Sequence, residues 1–299
     1  MPETTNLLTL RDWLRYAVSR FNQAGLFFGH GSADAYDEAA YLLLHTLHLP
    51  LHRLEPFLDA RLTPAECAAV AGIIERRVKE RVPAAYLTHE AWLGDSRFYV
   101  DERVIVPRSW FAELLEESFA PWIADPDSVS SALDLCTGSG CLAILMAQAF
   151  PNARIDAVDI SAAALEVARR NVADYRLEQR IELTQSDLFA QLAGRSYDLI
   201  VCNPPYVTAE AMRELPEEYR REPQLALAAG VDGLDVVRRL LSEAAKILKP
   251  GGLLAVETGH NQTIVECAFP RINFVWADTP SGEGKIFLLR RDQLIRLAD

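Results

Sequence analysis

Apolar residues recur at helical spacing near the start of the chain, where Leu10, Trp13, Leu14, Ala17, Val18 and Phe21 form one stripe. The pattern predicts a helix there, a second over 36–47, and a third that opens at Thr63-Pro64-Ala65-Glu66 and runs to about Arg81. Thr63 supplies an N-cap, Pro64 a preset first turn, and Glu66 stands three residues after the cap. Val82-Pro83 ends the pattern. The basic run Arg76-Arg77-Val78-Lys79-Glu80-Arg81 reads as a solvated helix face in preference to a nucleic-acid patch, because an acid interrupts it. From 86 to 107 the period changes. Trp92, Phe98, Tyr99, Val100, Val104, Ile105 and Val106 are β-formers broken by Gly94-Asp95-Ser96, which predicts a hairpin. A short amphipathic helix over 110–119 follows.

Beyond Ser131 strands and helices alternate. Strands are expected over 132–136, 154–158, 180–185, 198–202, 253–257, 273–277 and 285–289. Helices are expected over 141–149, 162–175 and 234–248, the last stopped by Lys249-Pro250-Gly251-Gly252. Such alternation implies a parallel, doubly wound α/β sheet with right-handed crossovers. The organisation expected is a helical domain over 1–85, a β-hairpin linker over 86–108 and an α/β domain over 109–299. No internal repeat or low-complexity tract interrupts it.

Half of the 299 residues are hydrophobic, which fits a globular chain with a sizeable core. No apolar run approaches the roughly 20 residues that span a bilayer, and Met1 to Leu10 lacks a signal-peptide pattern, so a cytoplasmic protein with no membrane contact is expected. Cys67, Cys136, Cys141, Cys202 and Cys267 are scattered and odd in number. They read as reduced packing residues or site walls, without a structural zinc. The net charge is −12, and residues 101–299 hold 20 basic against 30 acidic side chains. An acidic surface disfavours duplex binding through phosphates and suits a basic protein partner.

Asn203-Pro204-Pro205-Tyr206 follows the apolar run that ends at Cys202. An Asn held at a strand end by two prolines projects an amide in a fixed direction. Its carbonyl oxygen and the Pro204 carbonyl can both accept from one planar NH2 group, and Tyr206 supplies an aromatic wall. The site suits a poor nitrogen nucleophile presented to an electrophile. The same four residues also read as a strand-ending turn.

Asp134-Leu135-Cys136-Thr137-Gly138-Ser139-Gly140 sits at the first strand-to-helix turn, where open α/β sheets bind ligands. Gly138 and Gly140 let backbone approach a ligand without a Cβ. Asp159, after the next strand, is placed for ribose hydroxyls; Asp187, after the third, for an adenine amino group, with Leu188 against the ring. Both acids can equally cap the following helices. The run Gly138–Ala143 also fits the dinucleotide pattern of a nicotinamide oxidoreductase. Against that stand Asp134, which would repel a pyrophosphate but not a cationic amino-acid tail, and Asn-Pro-Pro-Tyr, which has no part in hydride transfer.

In this order, these residues resemble the class I S-adenosylmethionine-dependent methyltransferases. Asn-Pro-Pro-Tyr is the signature of members that methylate planar nitrogens, either the glutamine amide or the adenine exocyclic amine. Over nearly its full length, including Ala228-Ala229-Gly230-Val231-Asp232-Gly233-Leu234, the chain is similar to the glutamine N5-methyltransferases of translation proteins. The resemblance implies a Rossmann-like seven-stranded methyltransferase sheet with a small N-terminal helical domain and a linking β-hairpin. It implies S-adenosyl-L-methionine as cofactor, bound by Asp134, Cys136, Thr137, Gly138, Ser139, Gly140, Asp159, Ile160, Asp187, Leu188 and Asn203. The catalytic set it implies is Asn203, Pro204, Pro205 and Tyr206.

Two branches compete. Pro107-Arg108-Ser109-Trp110 lacks the second proline and the threonine that release-factor enzymes carry, and Cys136 stands where they usually have glycine. Arg108-Ser109 and the run Asp134 to Cys141 resemble the branch that methylates a glutamine of a large-subunit ribosomal protein, the third in the L series. That branch more often has proline at the place of Trp110. The expected partner is therefore a basic ribosomal protein with no direct DNA binding; oligomeric state is left open. The remaining alternatives are a release-factor methyltransferase, a DNA adenine N6-methyltransferase, an NAD-dependent oxidoreductase and a non-catalytic nucleoside-binding domain. The helical domain either selects the protein substrate or caps the sheet.

Overall fold

The computed structural model describes residues 6–295, so the opening stretch read for a leader lies partly outside the described residues. Two compact units divide the chain. The first comprises the chain up to Ala91 together with Val100–Glu102 and Leu215–Arg221. Its helices are α1 (Leu10–Gln23), α2 (Ala35–Thr46), α3 (Pro64–Glu80) and α4 (Ala84–Thr88). The stripe on α1 buries Leu10, Trp13, Leu14, Ala17 and Phe21 in a core shared with Leu42, Leu43, Val70 and Ile74. Capping boxes form at Thr9 with Asp12 and, as expected, at Thr63 with Glu66.

The basic run on α3 departs from the solvated reading. Arg76 and Lys79 are exposed and pair along the helix with Glu80 and Glu75. Arg77 is fully buried, because it shares the inward face with Val70 and Ile74. Its guanidinium binds Glu38 at 2.6 Å, Glu218 at 3.2 Å and the Phe27 carbonyl at 3.0 Å.

The predicted hairpin is real but shorter than 86–107. Only β1 (Ala91–Leu93) and β2 (Ser96–Phe98) pair. Tyr86 lies in α4. The segment from Tyr99 to Val106 forms no strand because side chains satisfy its backbone: the Tyr99 amide donates to Asn171 and the Val106 amide to Glu222. The helix expected over 110–119 is α5 (Phe111–Glu116).

The second unit is built on seven strands: β3 (Ser131–Leu135), β4 (Arg154–Asp159), β5 (Ile181–Gln185), β6 (Tyr197–Cys202), β7 (Leu248–Glu257), β8 (Val275–Thr279) and β9 (Gly282–Arg290). Its further helices are α6 (Cys141–Ala149), α7 (Ala162–Asp174), α8 (Ala211–Glu214), α9 (Asp235–Glu243), α10 (Gln262–Ala268) and α11 (Arg291–Ile295). Strand order is β5-β4-β3-β6-β7-β9-β8. Alternate residues feed two cores. Ala132, Ile155 and Val201 pack under α6, whereas Leu133, Val158 and Ile200 pack under α9.

The seven-stranded sheet is present as expected, and its parallel character holds for five of the seven strands. β5 through β7 are parallel, but β9 runs antiparallel to both β7 and β8. Only Pro280-Ser281 separates the paired residues Thr279 and Gly282, and so short a link permits reversal but no crossover. The helix expected to end at 248 stops at Glu243, and a 3₁₀ turn over Ala244–Lys246 follows. Lys249-Pro250-Gly251-Gly252 lies inside β7 as an irregularity, with Tyr197 opposite Leu248 and Leu199 opposite Leu253. A Cβ on Gly252 would stand 2.9 Å from the Lys249 carbonyl oxygen, so the crowded bulge requires glycine there.

Candidate active site

Strand order reverses beside β3, and the carboxyl ends of β3, β4, β5 and β6 share one edge of the sheet. A cleft of about 1020 Å³ opens there, its mouth included. From the sequence-predicted set, Cys136, Gly138, Asp159 and Ile160 line it at the first two strand ends. Asp187, Leu188, Asn203 and Pro205 line it at the next two. Asp134, Thr137, Ser139, Gly140, Pro204 and Tyr206 lie around this lining and do not form part of it.

Asp134 is fully buried beneath the loop. Its Oδ2 accepts from the Thr137 hydroxyl at 2.5 Å and from the Ala143 amide in the first turn of α6 at 3.0 Å. Among the described residues its Oδ1 has no hydrogen-bond partner, and burial pushes the carboxyl up to about 7. The two glycines do different work. Gly138 (φ +55°) faces open space in the cleft, with no atom nearer a built Cβ than the Cys136 carbonyl oxygen at 4.0 Å. Gly140 (φ +79°) backs onto α7, where a Cβ would meet that of Ala168 at 3.2 Å. Cys136 itself adopts φ +59°, a conformation that favours glycine, and its sulfur lies 4.0 Å from that of Cys202. The Ser139 carbonyl accepts from the buried Asn171 amide, which also holds both backbone groups of Tyr99.

Asp159 reaches back over the loop. One oxygen accepts from the Gly138 amide and the other from the Ser161 amide, each at 2.9 Å. Burial raises its carboxyl, while these amides pull the other way. The cap of α7 is Ser161, whose hydroxyl accepts from Ala164. Asp187 pairs with Arg239 of α9 at 2.8 Å, a partner that sequence reasoning missed. Also missed were Val104 and Ile105 on one wall and Pro223, Leu225 and Ala226 on another.

Asn203 ends β6 half-buried in the cleft, and among the described residues its side-chain amide has no hydrogen-bond partner. Tyr206 stands behind it. Its ring lies against Gly259, where a Cβ would come within 2.8 Å, and its carbonyl accepts from Asn261 at 2.8 Å.

Arg108 and Ser109, which follow the hairpin, both end on buried carboxylates. Arg108 forks onto Glu222 with two contacts of 2.6 Å, and the Ser109 hydroxyl donates to Glu257 at 2.5 Å. Glu222 escaped the sequence reading because an acid in a polar loop looks solvated, and Glu257 because an acid that closes a strand looks like its solvated end.

The chain is similar to several known proteins. Residues 118–218 match the methyltransferase small domain, and residues 12–88 match the PrmC N-terminal domain. A ribosomal protein uL3 glutamine methyltransferase from Neisseria meningitidis serogroup B is 60% identical, over 97% of this chain and 95% of its own. The enzyme of that name from Burkholderia pseudomallei is 56% identical, over 98% of each chain. Among solved structures, the human Mettl16 catalytic domain with an RNA hairpin aligns with a TM-score of 0.50 at 12% identity, over 76% of this chain and 81% of its own. That likeness concerns the fold alone. The chain belongs to the family of the ribosomal protein uL3 glutamine methyltransferases.

Proposed function

We propose that this protein transfers the methyl group of S-adenosyl-L-methionine to the side-chain amide nitrogen of a glutamine in ribosomal protein uL3, and that it does so in the cytoplasm. One observation carries the reading. Asn203 holds an amide in the cleft with no hydrogen-bond partner among the described residues, beside two prolines that fix the backbone. A half-buried amide that faces an open cleft keeps its carbonyl oxygen and its N–H groups for whatever binds there. Relatives named for this modification, at 51–60% identity, support the choice of substrate. So does the net charge of −12, which suits a basic partner.

The cleft fits the cofactor. Gly138 leaves room for close approach, Asp159 keeps lone pairs for ribose hydroxyls beyond those its two amides use, and Ile160 and Leu188 give apolar walls. Asp134 sets negative charge under the loop, with Thr137, Ser139 and Gly140 holding that loop's shape. When bound, S-adenosylmethionine would supply a methyl group on a positively charged sulfur; as the nitrogen bonds to that carbon the carbon–sulfur bond breaks, S-adenosylhomocysteine leaves as the neutral thioether, and the nitrogen gives up one proton to solvent. An amide nitrogen is a weak nucleophile because its lone pair is delocalised into the carbonyl. The Asn203 carbonyl oxygen and the Pro204 carbonyl accept its two N–H groups and fix its plane, while Pro205 and Tyr206 bound the side chain. Orientation of this kind contributes on the order of 7–11 kcal/mol to a transfer step. Residues 1–85 serve recognition of the protein substrate, 86–108 link, and 109–299 carry the transfer.

The test is incubation of purified uL3, free and within large subunits, with isotopically labelled cofactor, followed by peptide mass spectrometry. Label on one glutamine of uL3 is expected. Label on a release factor or on duplex adenine, with none on uL3, overturns the assignment.

A further inference from the structure

Glu257 closes β7 and is wholly buried, although its hydrogen-bond partners are all uncharged. Its Oε2 accepts from the Ser109 hydroxyl at 2.5 Å and from the Trp110 amide at 3.2 Å. Among the described residues, its Oε1 accepts from the Tyr206 hydroxyl at 3.5 Å. An apolar side chain would fill this place at lower cost than a buried acid. The turn that follows holds the same tyrosine twice more, through Gly259 under the ring and Asn261 on the carbonyl. Three of five consecutive residues thus converge on Tyr206.

We propose that Glu257 is a positioning residue for methyl transfer, whose ionised carboxylate holds the Tyr206 hydroxyl and ties the acceptor segment Asn203–Tyr206 to the Ser109–Trp110 turn. The proposal rests on the reading of that segment as the glutamine-amide site and adds the device that sets its aromatic wall. Burial pushes the Glu257 carboxyl up to about 7, so both protonation states are accessible near neutrality. Deprotonated, Oε1 is an acceptor for the phenol; protonated, the carboxyl loses much of its pull on that hydroxyl. The other charged groups on the elements around it are already engaged. Arg108 is forked onto Glu222, and Lys285 of β9 binds His260.

The experiment measures kcat and KM for uL3 across neutral pH in the wild type, Glu257→Gln, Tyr206→Phe and the double variant. The wild-type kcat should rise with pH through about 7. Either single change should flatten that limb and lower kcat on the order of ten- to a hundredfold, with KM for S-adenosylmethionine unmoved. The double variant should lose no more than the worse single one. A rising limb retained in Glu257→Gln overturns the proposal, as does a double-variant loss equal to the product of the two. Should Glu257→Gln fail to fold, a Tyr206→Phe enzyme that keeps the wild-type limb overturns it equally. Asn203→Ala separates the two claims. Wild-type turnover in Asn203→Ala removes the amide-site reading itself. A dead Asn203→Ala beside an unaffected Glu257→Gln removes only the role of Glu257.

Discussion

Both units bury charge, but they treat it in opposite ways. In the helical unit, Arg77 meets Glu38, Glu218 and a carbonyl oxygen, so a buried cation faces two buried acids. In the sheet unit, Asp134 and Glu257 are as deeply buried and have only neutral donors, and burial pushes each up to about 7. The first arrangement is closed: removing a member harms stability and nothing else. The second leaves acids poised near neutrality at the carboxyl edge of the sheet, where cofactor and substrate are expected. Arg108 with Glu222 shows that the sheet unit can also pair a buried acid, so the lack of a cation at Asp134 and Glu257 belongs to their places and not to the unit as a whole.

Breaking the closed network should have the largest effect on stability. Arg77→Ala strands the buried Glu38 carboxylate, leaving Glu218 with Arg81 and the Phe27 amide, and should cost about 3–5 kcal/mol in denaturant unfolding. A smaller loss would mean that the network is open to solvent. Next comes the pH dependence of the unpaired acids. Asp134 moves from 3.8 to about 7 on folding, so the folded state keeps a proton that the unfolded chain releases. The stability this contributes is fully present below the unfolded value and is lost as pH rises through about 7, a swing on the order of 4 kcal/mol. Asp134→Asn should remove that swing in unfolding measured against pH, while weakening S-adenosylmethionine binding by calorimetry. Glu257→Gln should remove a smaller swing, about 3 kcal/mol, because its shift starts from 4.5. The smallest effect is conformational. Cys136 at φ +59° should be relieved by Cys136→Gly, raising stability by about 1 kcal/mol on thermal unfolding.

The same contrast marks how far the sequence could be read. The strands and helices from Ser131 to Cys202 were legible because β3 and β6 are short apolar runs, glycines open α6 and the Ser161 cap opens α7. The direction of β9 was not, since alternation looks alike in either orientation and only the brevity of Pro280-Ser281 betrays the reversal. Loop acids and glycines mark strand ends, so the cleft residues from Cys136 to Asn203 could be found. Burial of a charge is a tertiary property, and it hid Glu222 and Glu257. Arg77 was accessible in principle: Val70, Ile74 and Arg77 lie four and three residues apart, which puts the arginine on the buried face that the charge run obscured.

The central claim is that the unpartnered amide of Asn203 holds the nitrogen that is methylated. It is tested most directly by single-turnover transfer to purified uL3 with Asn203→Ala, beside the binding of S-adenosylmethionine to the same variant. The account predicts that transfer falls by on the order of a hundredfold or more while cofactor binding changes only a few-fold. Transfer at the wild-type rate, or a loss explained wholly by weaker cofactor binding, would contradict it.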